Sequence, residues 1–238
     1  MIENQIIARV RNEGRTWLTE IESKELLREA GINVIDTRMA KSKDEAIRLS
    51  QELGFPVVLK VVSPAILHKS DAGGVKVGLG TAKQVAKAYD DIWGAVGKKH
   101  PGAVIEGVSV QQMARPGVEV IIGMSKDIEF GPLVMFGLGG IWVEVLKDVS
   151  FRIAPLTRRD AREMIREIKG YPLLEGYRGK ESVDVSNLED YLLKVSDFVE
   201  RNPAIKELDL NPIFAYSDSA VAVDARVILE SLQNGTRR

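Results

Sequence analysis

Residues 55–79, FPVVLKVVSPAILHKSDAGGVKVGL, contain two β-rich runs joined by a long loop. The runs 55–62 and 75–79 are rich in valine and leucine, which predicts two neighbouring strands. The connection 63–74 is longer than a usual hairpin loop of about two to five residues, and long loops are often functional. The segment therefore predicts two strands that flank a loop with a chemical role.

Three features of this segment are candidates for phosphate chemistry. Lys60 ends the apolar run 57–60 within the first predicted strand, where a buried ammonium needs an anionic partner. A lysine that extends its charge to solvent explains the pattern equally well. Gly73 and Gly74 let the backbone approach phosphate oxygens with its N–H groups, but they also suit an ordinary tight turn. His68 can attack a phosphoryl group through a neutral ring nitrogen, or it is a surface histidine. No Walker A pattern is present.

The composition excludes several classes of function. The 238 residues are 45% apolar and 28% charged, and they include no cysteine, which rules out disulfides, thiolate catalysis and cysteine-ligated zinc. Lys and Arg (33) nearly balance Asp and Glu (34), so no overall basic field favours nucleic acid. No apolar run approaches the roughly 20 residues that cross a bilayer. We expect a cytoplasmic protein with neither a membrane nor a nucleic-acid partner.

The pattern of caps, breakers and periodicity predicts two α/β lobes after a polar, loosely ordered N-terminal segment. The expected divisions are a lead-in at 1–18, a small lobe at 19–105 that carries the loop 63–74, and a second lobe at 106–238. The expected helices start at Thr19 (burying Leu26, Leu27 and Ala30), Ser42, Thr81, Thr157 and Ser186. The expected strands cover 33–40, 55–62, 75–79, 107–113, 118–125, 132–138, 142–153, 205–214 and 220–228.

The most informative polar residues lie near the C-terminus. Asp209 and Asn211 are two positions apart in a predicted strand and so share one face. If the following hairpin turns near residue 217, Asn211 lies directly opposite Asp224, with Cβ atoms about 5 Å apart. Two neighbouring oxygen ligands suit Mg²⁺ on a nucleotide, with phosphate and water in the other positions. Polar residues that only flank a turn are the alternative.

Two further features of the sequence can each be interpreted in more than one way. Glu119 is a carboxylate in a β-branched strand, and it is either an edge residue facing water, an acceptor for ribose hydroxyls, or a partner for Lys60. The turn Gly137–Gly140, followed by Glu144 and Asp148, is either a phosphate-contacting loop or a plain hairpin.

Taken in order, these motifs resemble the ATP-grasp fold, an α/β (α+β) architecture of two lobes with the nucleotide between them. The specific resemblance is to the β subunit of ADP-forming acetyl-CoA (acyl-CoA) synthetases, which are related to succinyl-CoA synthetase. It extends from about Thr19 to Leu229. Its most specific segments are Ser63–Val75, Gly137–Asp148, Leu174–Gly179 and Glu207–Ile213.

The resemblance implies a role for each candidate residue. The nucleotide-binding residues would be Lys60, Gly73, Gly74, Gln111, Gln112, Met113 and Glu119, with residues 111–113 contacting adenine through their backbone. Asn211 and Asp224 would be the Mg²⁺ ligands. Asp209 would orient a phosphohistidine, and His68 would be the second histidine phosphorylated in the reaction. No role follows for Gly137–Gly140, Glu144 or Arg178.

The implied reaction makes ATP and a carboxylic acid reversibly from acyl-CoA, ADP and phosphate. A CoA-binding α subunit would carry the first phosphohistidine, and an α2β2 hetero-oligomer is expected. Two alternatives are a self-sufficient ATP-grasp carboxylate ligase, which would need no histidine relay, and a non-catalytic nucleotide-sensing module. Lys60, Asp209, Asn211 and Asp224 argue against an inactive site.

Overall fold

The computed structural model describes residues 4–66, 69–140, 147–177 and 181–231. The chain forms two compact units, a smaller one of Ile35–Arg115 and a larger one of Met1–Val34 with Pro116–Arg238. These boundaries differ from the expected divisions at 18/19 and 105/106. The strand 107–112 hydrogen-bonds two strands of the smaller unit, and the helix 20–29 places Leu26 and Leu27 in the core of the larger one.

The smaller unit is an antiparallel sheet with helices on one face. Its strands are β1 Thr37–Ala40, β2 Val57–Val62, β3 Val75–Leu79 and β4 Gly107–Gln112, in the order β1-β4-β2-β3. Its helices are Lys43–Leu53 and Ala82–Lys99, which we call α3 and α4 in chain order. The core contains Leu59 and Val61 of β2 together with Val85 and Ile92 of α4. The alternate residues of β2, Val58 and Lys60, therefore point to the opposite face of the sheet.

The larger unit is built on a second antiparallel sheet. Its strands are β5 Val118–Asp127, β6 Gly131–Leu138, β7 Val149–Ile153, β8 Ile205–Ala215, β9 Ala220–Ala222 and β10 Arg226–Leu229. The order is β10-β8-β5-β6-β7, and β9 also pairs with β8. Its helices are α1 Gln5–Asn12, α2 Glu20–Glu29, α5 Arg158–Glu167, α6 Tyr171–Leu174 and α7 Val185–Arg201. Val120, Ile122, Leu208 and Leu210 face the core of this unit.

The N-terminal segment is a structured part of the larger unit, which corrects the expectation of a loosely ordered lead-in. Asn4 caps α1 by accepting a hydrogen bond from the Ile6 N–H, and the buried residues Ile7 and Val10 join the core. Apolar side chains at helical spacing in a short, strongly charged segment are sufficient to order it once a core is available. Ala30, expected in the core, is exposed.

Helix starts follow their side-chain caps, with one correction. Thr19 and Glu22 form the predicted reciprocal capping box, and Ser42 and Thr81 cap α3 and α4 as expected. The last long helix, α7, is capped by Asp184 and not by Ser186: the Asp184 carboxylate accepts from the Ser186 and Asn187 N–H groups. Aspartate is as good an N-cap as serine, and Asp184 precedes Ser186, so the helix starts two residues earlier than expected.

The final predicted strand, 220–228, is two short strands with a break between them. β9 ends at Ala222 and β10 begins at Arg226. Of the expected strand 142–153, the structure shows β7, which begins at Val149. Residues 141–146 lie outside the described part of the chain. Among the described residues, no helix is long and apolar enough to cross a membrane.

Candidate active site

The structure brings together the three C-terminal polar residues of the larger unit. β8 pairs with β9 at Ile213↔Ala222 and with β10 at Asp209↔Arg226. The same number of residues separates these two pairs on each strand, so Asn211 and Asp224 occupy matching positions between them. The Val223 N–H donates to the Pro212 carbonyl at 2.9 Å, which holds the strands together beside this position. The predicted register is therefore present on both sides of the proposed metal ligands.

Side-chain alternation places the polar residues away from the core. Leu208 and Leu210 are buried, whereas Asp209 and Asn211 are exposed on the other face of β8. Asp224 is partly buried, and its carboxylate accepts a hydrogen bond from the Ala225 N–H at 2.9 Å. The face opposite the core thus presents amide and carboxylate oxygens that a ligand can reach.

The electrostatic environment of Asp209 differs from that of a carboxyl in water. Although solvent reaches the side chain, surrounding protein atoms desolvate the carboxyl and raise its pKa. The negative charge of Asp224 raises this pKa further, and the positive charge of Arg226 opposes the increase. The effect of Asp224 shows that the two carboxylates are close enough to repel one another. A cation or a proton donor bound between them would relieve this repulsion.

A cavity of about 280 Å³ extends from Asp209 across the same sheet face. Polar side chains from Ser125, Glu207, Asp209 and Arg226 line it together with the apolar residues Leu133, Met135, Phe151 and Ile228. The sequence analysis did not identify Arg226. The signal was available, because Arg226 follows Asp224 by two positions and so lies on the same face of an extended strand.

Glu119 lies on β5 opposite Phe214 of β8, in the larger unit, and its side chain is exposed. The Gly139 N–H donates to the Glu119 carbonyl at 2.7 Å, and a Cβ on Gly139 would lie 3.0 Å from the Glu119 Cβ. Gly140 has a φ of +63° and passes near the Glu119 carboxylate. Close packing against Glu119 therefore explains why both positions are glycine. The turn Gly137–Gly140 thus has a structural role beside Glu119.

Asp148, which follows that turn, also has a structural role. Its two carboxylate oxygens accept hydrogen bonds from the N–H groups of Lys169 and Gly170 at 2.8 and 2.7 Å. Glu144 and Arg178 lie outside the described residues.

In the smaller unit, Lys60 and Gln111 lie on the sheet face opposite the helices. Lys60 is 6% exposed and is paired with Ser109 across β2 and β4, and Gln111 is paired with Val58. The Thr37 hydroxyl donates to the Gln111 side-chain oxygen at 3.3 Å. Burial of Lys60 does not fit a lysine that extends its charge into water. Lys60 and Glu119 belong to different units, and their pairing stays a prediction.

The loop glycines have a clear structural role. Gly73 has a φ of +73°, and a Cβ on Gly74 would lie 2.4 Å from Val61 Cγ1. The Gly73 and Gly74 N–H groups donate to the Ser70 and Lys69 carbonyls at 2.9 and 2.8 Å. In this conformation both amide groups are used within the loop, so contact with phosphate requires the loop to change shape. His68 and its neighbour Leu67 lie outside the described residues.

Gln112 ends β4 and Met113 follows it, and both side chains are exposed close to the boundary of the smaller unit. The Met113 N–H donates to the Pro56 carbonyl at 2.9 Å. Their contact with adenine stays a prediction. The structure thus brings Asp209, Asn211 and Asp224 together, and it places the other described candidates separately, on or next to β2 and β4, on β5 and at the end of the loop 63–74.

A family model described as an ATP-grasp domain matches residues 9–229. The chain is also 51% identical to the β subunit of an ADP-forming acetate–CoA ligase of Pyrococcus furiosus, over 94% of this chain and 97% of that one. This chain belongs to the ATP-grasp family of ADP-forming acetate–CoA ligase β subunits. The predicted resemblance and fold class are confirmed.

Solved structures agree with this membership of the ATP-grasp family. An acetyl-coenzyme A synthetase of Ca. Korarchaeum cryptofilum, in complex with coenzyme A, Ca-AMPCP and HgCl+, superposes with a TM-score of 0.93 at 49% identity, covering 94% of this chain and 98% of that one. A second structure of the same enzyme contains coenzyme A and Mg-AMPPCP, and its phosphohistidine segment points towards the nucleotide-binding site; it superposes at 0.85 with 45% identity over the same shares.

Proposed function

We propose that this ATP-grasp chain is the nucleotide-binding β subunit of an ADP-forming acyl-CoA synthetase, with acetyl-CoA as the expected substrate. The reaction converts acyl-CoA, ADP and phosphate reversibly into a carboxylic acid, CoA and ATP. The observation that carries the proposal is the group Asp209, Asn211 and Asp224, set in register on an exposed sheet face in a chain that matches such β subunits over nearly its full length.

Asn211 and Asp224 are the proposed ligands of a magnesium ion bound with the nucleotide. Their amide and carboxylate oxygens are the hard donors that Mg²⁺ prefers. The described residues contain no group of three or more His, Cys, Asp or Glu side chains arranged to hold a metal ion. Such a sparse donor set suits an ion that keeps its phosphate and water ligands. When bound, the ion would offset negative charge between the phosphates.

The remaining candidate residues are proposed to contact the nucleotide as the sequence resemblance implies. Lys60, which is buried on β2, supplies a positive charge for the phosphates in this proposal. Residues 111–113 contact adenine, and Glu119 accepts hydrogen bonds from the ribose. In this proposal, Gly73 and Gly74 contact the phosphates after a rearrangement of their backbone. The rearrangement is needed because their N–H groups are hydrogen-bonded within the loop in the structure.

His68 is the proposed carrier of the phosphoryl group, and Asp209 orients it. In the direction of ATP synthesis, the N–P bond of the phosphohistidine breaks and a β-phosphate oxygen of ADP bonds to phosphorus, while the ring nitrogen regains its lone pair. A carboxylate that accepts a hydrogen bond from the other ring nitrogen fixes the tautomer of the imidazole. The phosphohistidine segment of the Korarchaeum relative supports this assignment.

The partner is proposed to be a separate CoA-binding α subunit that carries the first phosphohistidine, assembled with this chain as α2β2. The P. furiosus relative is named as a subunit, which supports a split enzyme. On the sheet face that holds the cavity, Phe151 and Ile153 of β7 are 45% and 48% exposed. Exposed apolar side chains on one face are typical of a surface that binds another protein. The cytoplasmic location stays a prediction.

The proposal is tested by mixing the chain with its CoA-binding partner and following ATP formation from acetyl-CoA, Mg-ADP and phosphate. We expect no turnover by the chain alone, turnover by the complex, and its loss in the double variant Asn211→Ala, Asp224→Ala. The double variant should keep its unfolding transition, because both side chains lie outside the core.

The wild-type chain should take up label from γ-labelled ATP, and the label should survive alkaline conditions, as a phosphohistidine does. The variant His68→Asn should take up no such label. Equal activity of the metal-ligand variant would remove Asn211 and Asp224 from the mechanism. Robust synthesis by the chain alone would instead identify a self-sufficient ligase.

A further inference from the structure

Arg226 is the first residue of β10 and is the direct cross-strand neighbour of Asp209. Directly opposed residues of an antiparallel pair place their side chains on the same face, with Cβ atoms about 5 Å apart. Arg226 therefore lies on the face that presents Asn211 and Asp224, and solvent reaches its side chain. Its position follows from the strand register and does not depend on a flexible loop.

Arg226 contributes a positive charge to a cavity that is otherwise lined, among the described residues, by acidic and uncharged side chains. Glu207 and Asp209 line the cavity, and Asp224 is close enough to Asp209 to affect it electrostatically. Of the described residues that line the cavity, Arg226 alone is a cation. An anionic phosphoryl group that approached only carboxylates would be repelled, so this face needs a positive charge to receive one.

The guanidinium of Arg226 is also available for a ligand. Among the described residues, it forms no hydrogen bond and no ion pair within 4.0 Å, and its nearby anionic neighbour is Asp209. Other arginines of the larger unit are engaged: Arg158 and Arg162 contact Glu189, and Arg201 contacts Asp197. A planar guanidinium that offers several N–H donors can bind two oxygens of one phosphoryl group at once.

We propose that Arg226 is a catalytic residue that contacts the phosphoryl group during its transfer between ADP and the phosphohistidine. The inference rests on the proposed function. In the synthesis direction, the N–P bond of the phosphohistidine breaks, a β-phosphate oxygen of ADP bonds to phosphorus, and the ring nitrogen keeps the electron pair. Arg226 donates hydrogen bonds to the phosphoryl oxygens throughout, and its own proton count does not change.

The competing explanation is that Arg226 only balances the charge of Asp209. The two explanations predict different kinetics. A group that acts on the migrating phosphoryl oxygens stabilises the transition state more than the bound nucleotide, so its loss lowers the transfer rate with little effect on nucleotide affinity. A structural charge partner, when lost, changes stability or affects affinity and rate together.

The test uses Arg226→Gln, Arg226→Lys and Arg226→Ala in the complex of this chain with its CoA-binding partner. Two quantities are measured: the dissociation constant of Mg-ADP by titration calorimetry, and the rate of label transfer from γ-labelled Mg-ATP to the protein. Arg201→Gln is the matched control, because Arg201 is an exposed, ion-paired residue at the end of α7. The unfolding midpoint of each variant is recorded.

We expect Arg226→Gln to keep the Mg-ADP dissociation constant within about threefold and to slow transfer by roughly 100-fold, the usual effect of losing one preorganised donor to a developing charge. Arg226→Lys should recover only part of the rate, because an ammonium cannot make the same paired contact. Guanidinium ion in the millimolar range should partly restore transfer to Arg226→Ala. Arg201→Gln should match the wild type.

Two results would overturn the inference while leaving the proposed function intact. One is transfer by Arg226→Gln at the rate of Arg201→Gln. The other is a parallel loss of affinity, rate and unfolding midpoint, which would identify a structural charge partner. Failure of the wild-type complex to bind Mg-ADP or to take up label would refute the proposed function itself, and the inference with it.

Discussion

Replacing Gly74 by alanine should destabilise the smaller unit, although the change adds only one methyl group. Gly74 lies where the loop 63–74 joins β3, and its carbonyl accepts a hydrogen bond from the Val61 N–H at 2.7 Å. A Cβ on Gly74 would lie 2.4 Å from Val61 Cγ1 and 3.1 Å from the Lys69 carbonyl oxygen. Carbon atoms in favourable contact are about 3.5–4.0 Å apart, so the loop and β2 must separate by roughly 1 Å.

The expected loss of stability depends on how far the atoms around Gly74 can move. Val61 is completely buried in the core of the smaller unit, and the Lys69 carbonyl accepts the Gly74 N–H at 2.8 Å, so neither neighbour can move freely. Overpacking of this kind costs about 1–3 kcal/mol. In a protein of this size, that corresponds to a fall in the midpoint of thermal unfolding of roughly 2–12 °C.

The assay is urea and thermal unfolding of the full chain, with Gly94→Ala as the matched control. Gly94 lies in the exposed part of α4, and a Cβ there would meet no atom within 4 Å. The same substitution should therefore stabilise the protein by about 0.5–1 kcal/mol, because glycine is a poor helix residue. Two identical chemical changes in one unit should thus have opposite signs.

A double-mutant cycle with Val61→Ala identifies the cause. Val61→Ala alone should cost roughly 2 kcal/mol, from two buried methyl groups and the cavity they leave. Combined with Gly74→Ala, it should cost at least about 1 kcal/mol less than the sum, because the missing methyl removes the overlap. Additive effects, or a neutral Gly74→Ala, would show that packing does not require this glycine and would favour the phosphate-binding explanation.

Two further predictions concern the N-terminal helices. Hydrogen bonds from Arg15 and Thr19 lower the pKa of Glu22 against the opposing effect of burial, so its stabilising contribution is present above the unfolded-state pKa of about 4.3 and is lost as pH falls through the lower folded-state pKa. Glu22→Gln should lower the free energy of urea unfolding by about 1–2 kcal/mol at pH 7, and by progressively less below about pH 4. A difference between wild type and variant that is as large at about pH 3 as at pH 7 would contradict this. Lys24→Met should cost about 1.5–3 kcal/mol because it removes the 2.8 Å ion pair that Lys24 makes with the buried Glu20 carboxylate, whereas adding Glu20→Leu should recover part of this cost; equal costs of the single and double changes would show that the charge of Glu20 is not the cause.

Local signals in the sequence predict much of this fold. Thr19, Ser42 and Thr81 start helices because each hydroxyl satisfies an N–H of the first turn, a rule that needs no tertiary information. The register of β8 with the strands that follow was also predictable, since one turn position determines every later pair of a hairpin. These features depend on residues that are near one another in sequence.

The features that sequence analysis missed depend on distant contacts. The helix α1 is short and charged, and it is ordered because Ile7 and Val10 find a core formed mainly by residues after Pro116. The placement of strand 107–112 in the smaller unit likewise depends on its pairing with β1 and β2. Arg226 was missed for another reason: its position two residues after Asp224 was predictable, but a lone arginine at a strand start matches no known phosphate-binding motif.

The break between β9 and β10 bears on how the candidate metal site works. A continuous ladder would hold both side chains at one fixed spacing. Here β9 ends at Ala222 and β10 begins at Arg226 in the same register, with one further cross-strand bond from the Val223 N–H to the Pro212 carbonyl, and the Asp224 carboxylate accepts from the Ala225 N–H next to it. The flanking pairs keep the two proposed ligands opposite one another, and the break in the strand does not fix the spacing of their side chains. Mg²⁺ requires oxygen ligands at about 2.1 Å in a near-octahedral arrangement, so two ligands whose Cβ atoms start about 5 Å apart must turn towards each other. A strand interrupted only at the ligand position meets both needs, and a regular hairpin would meet only the first.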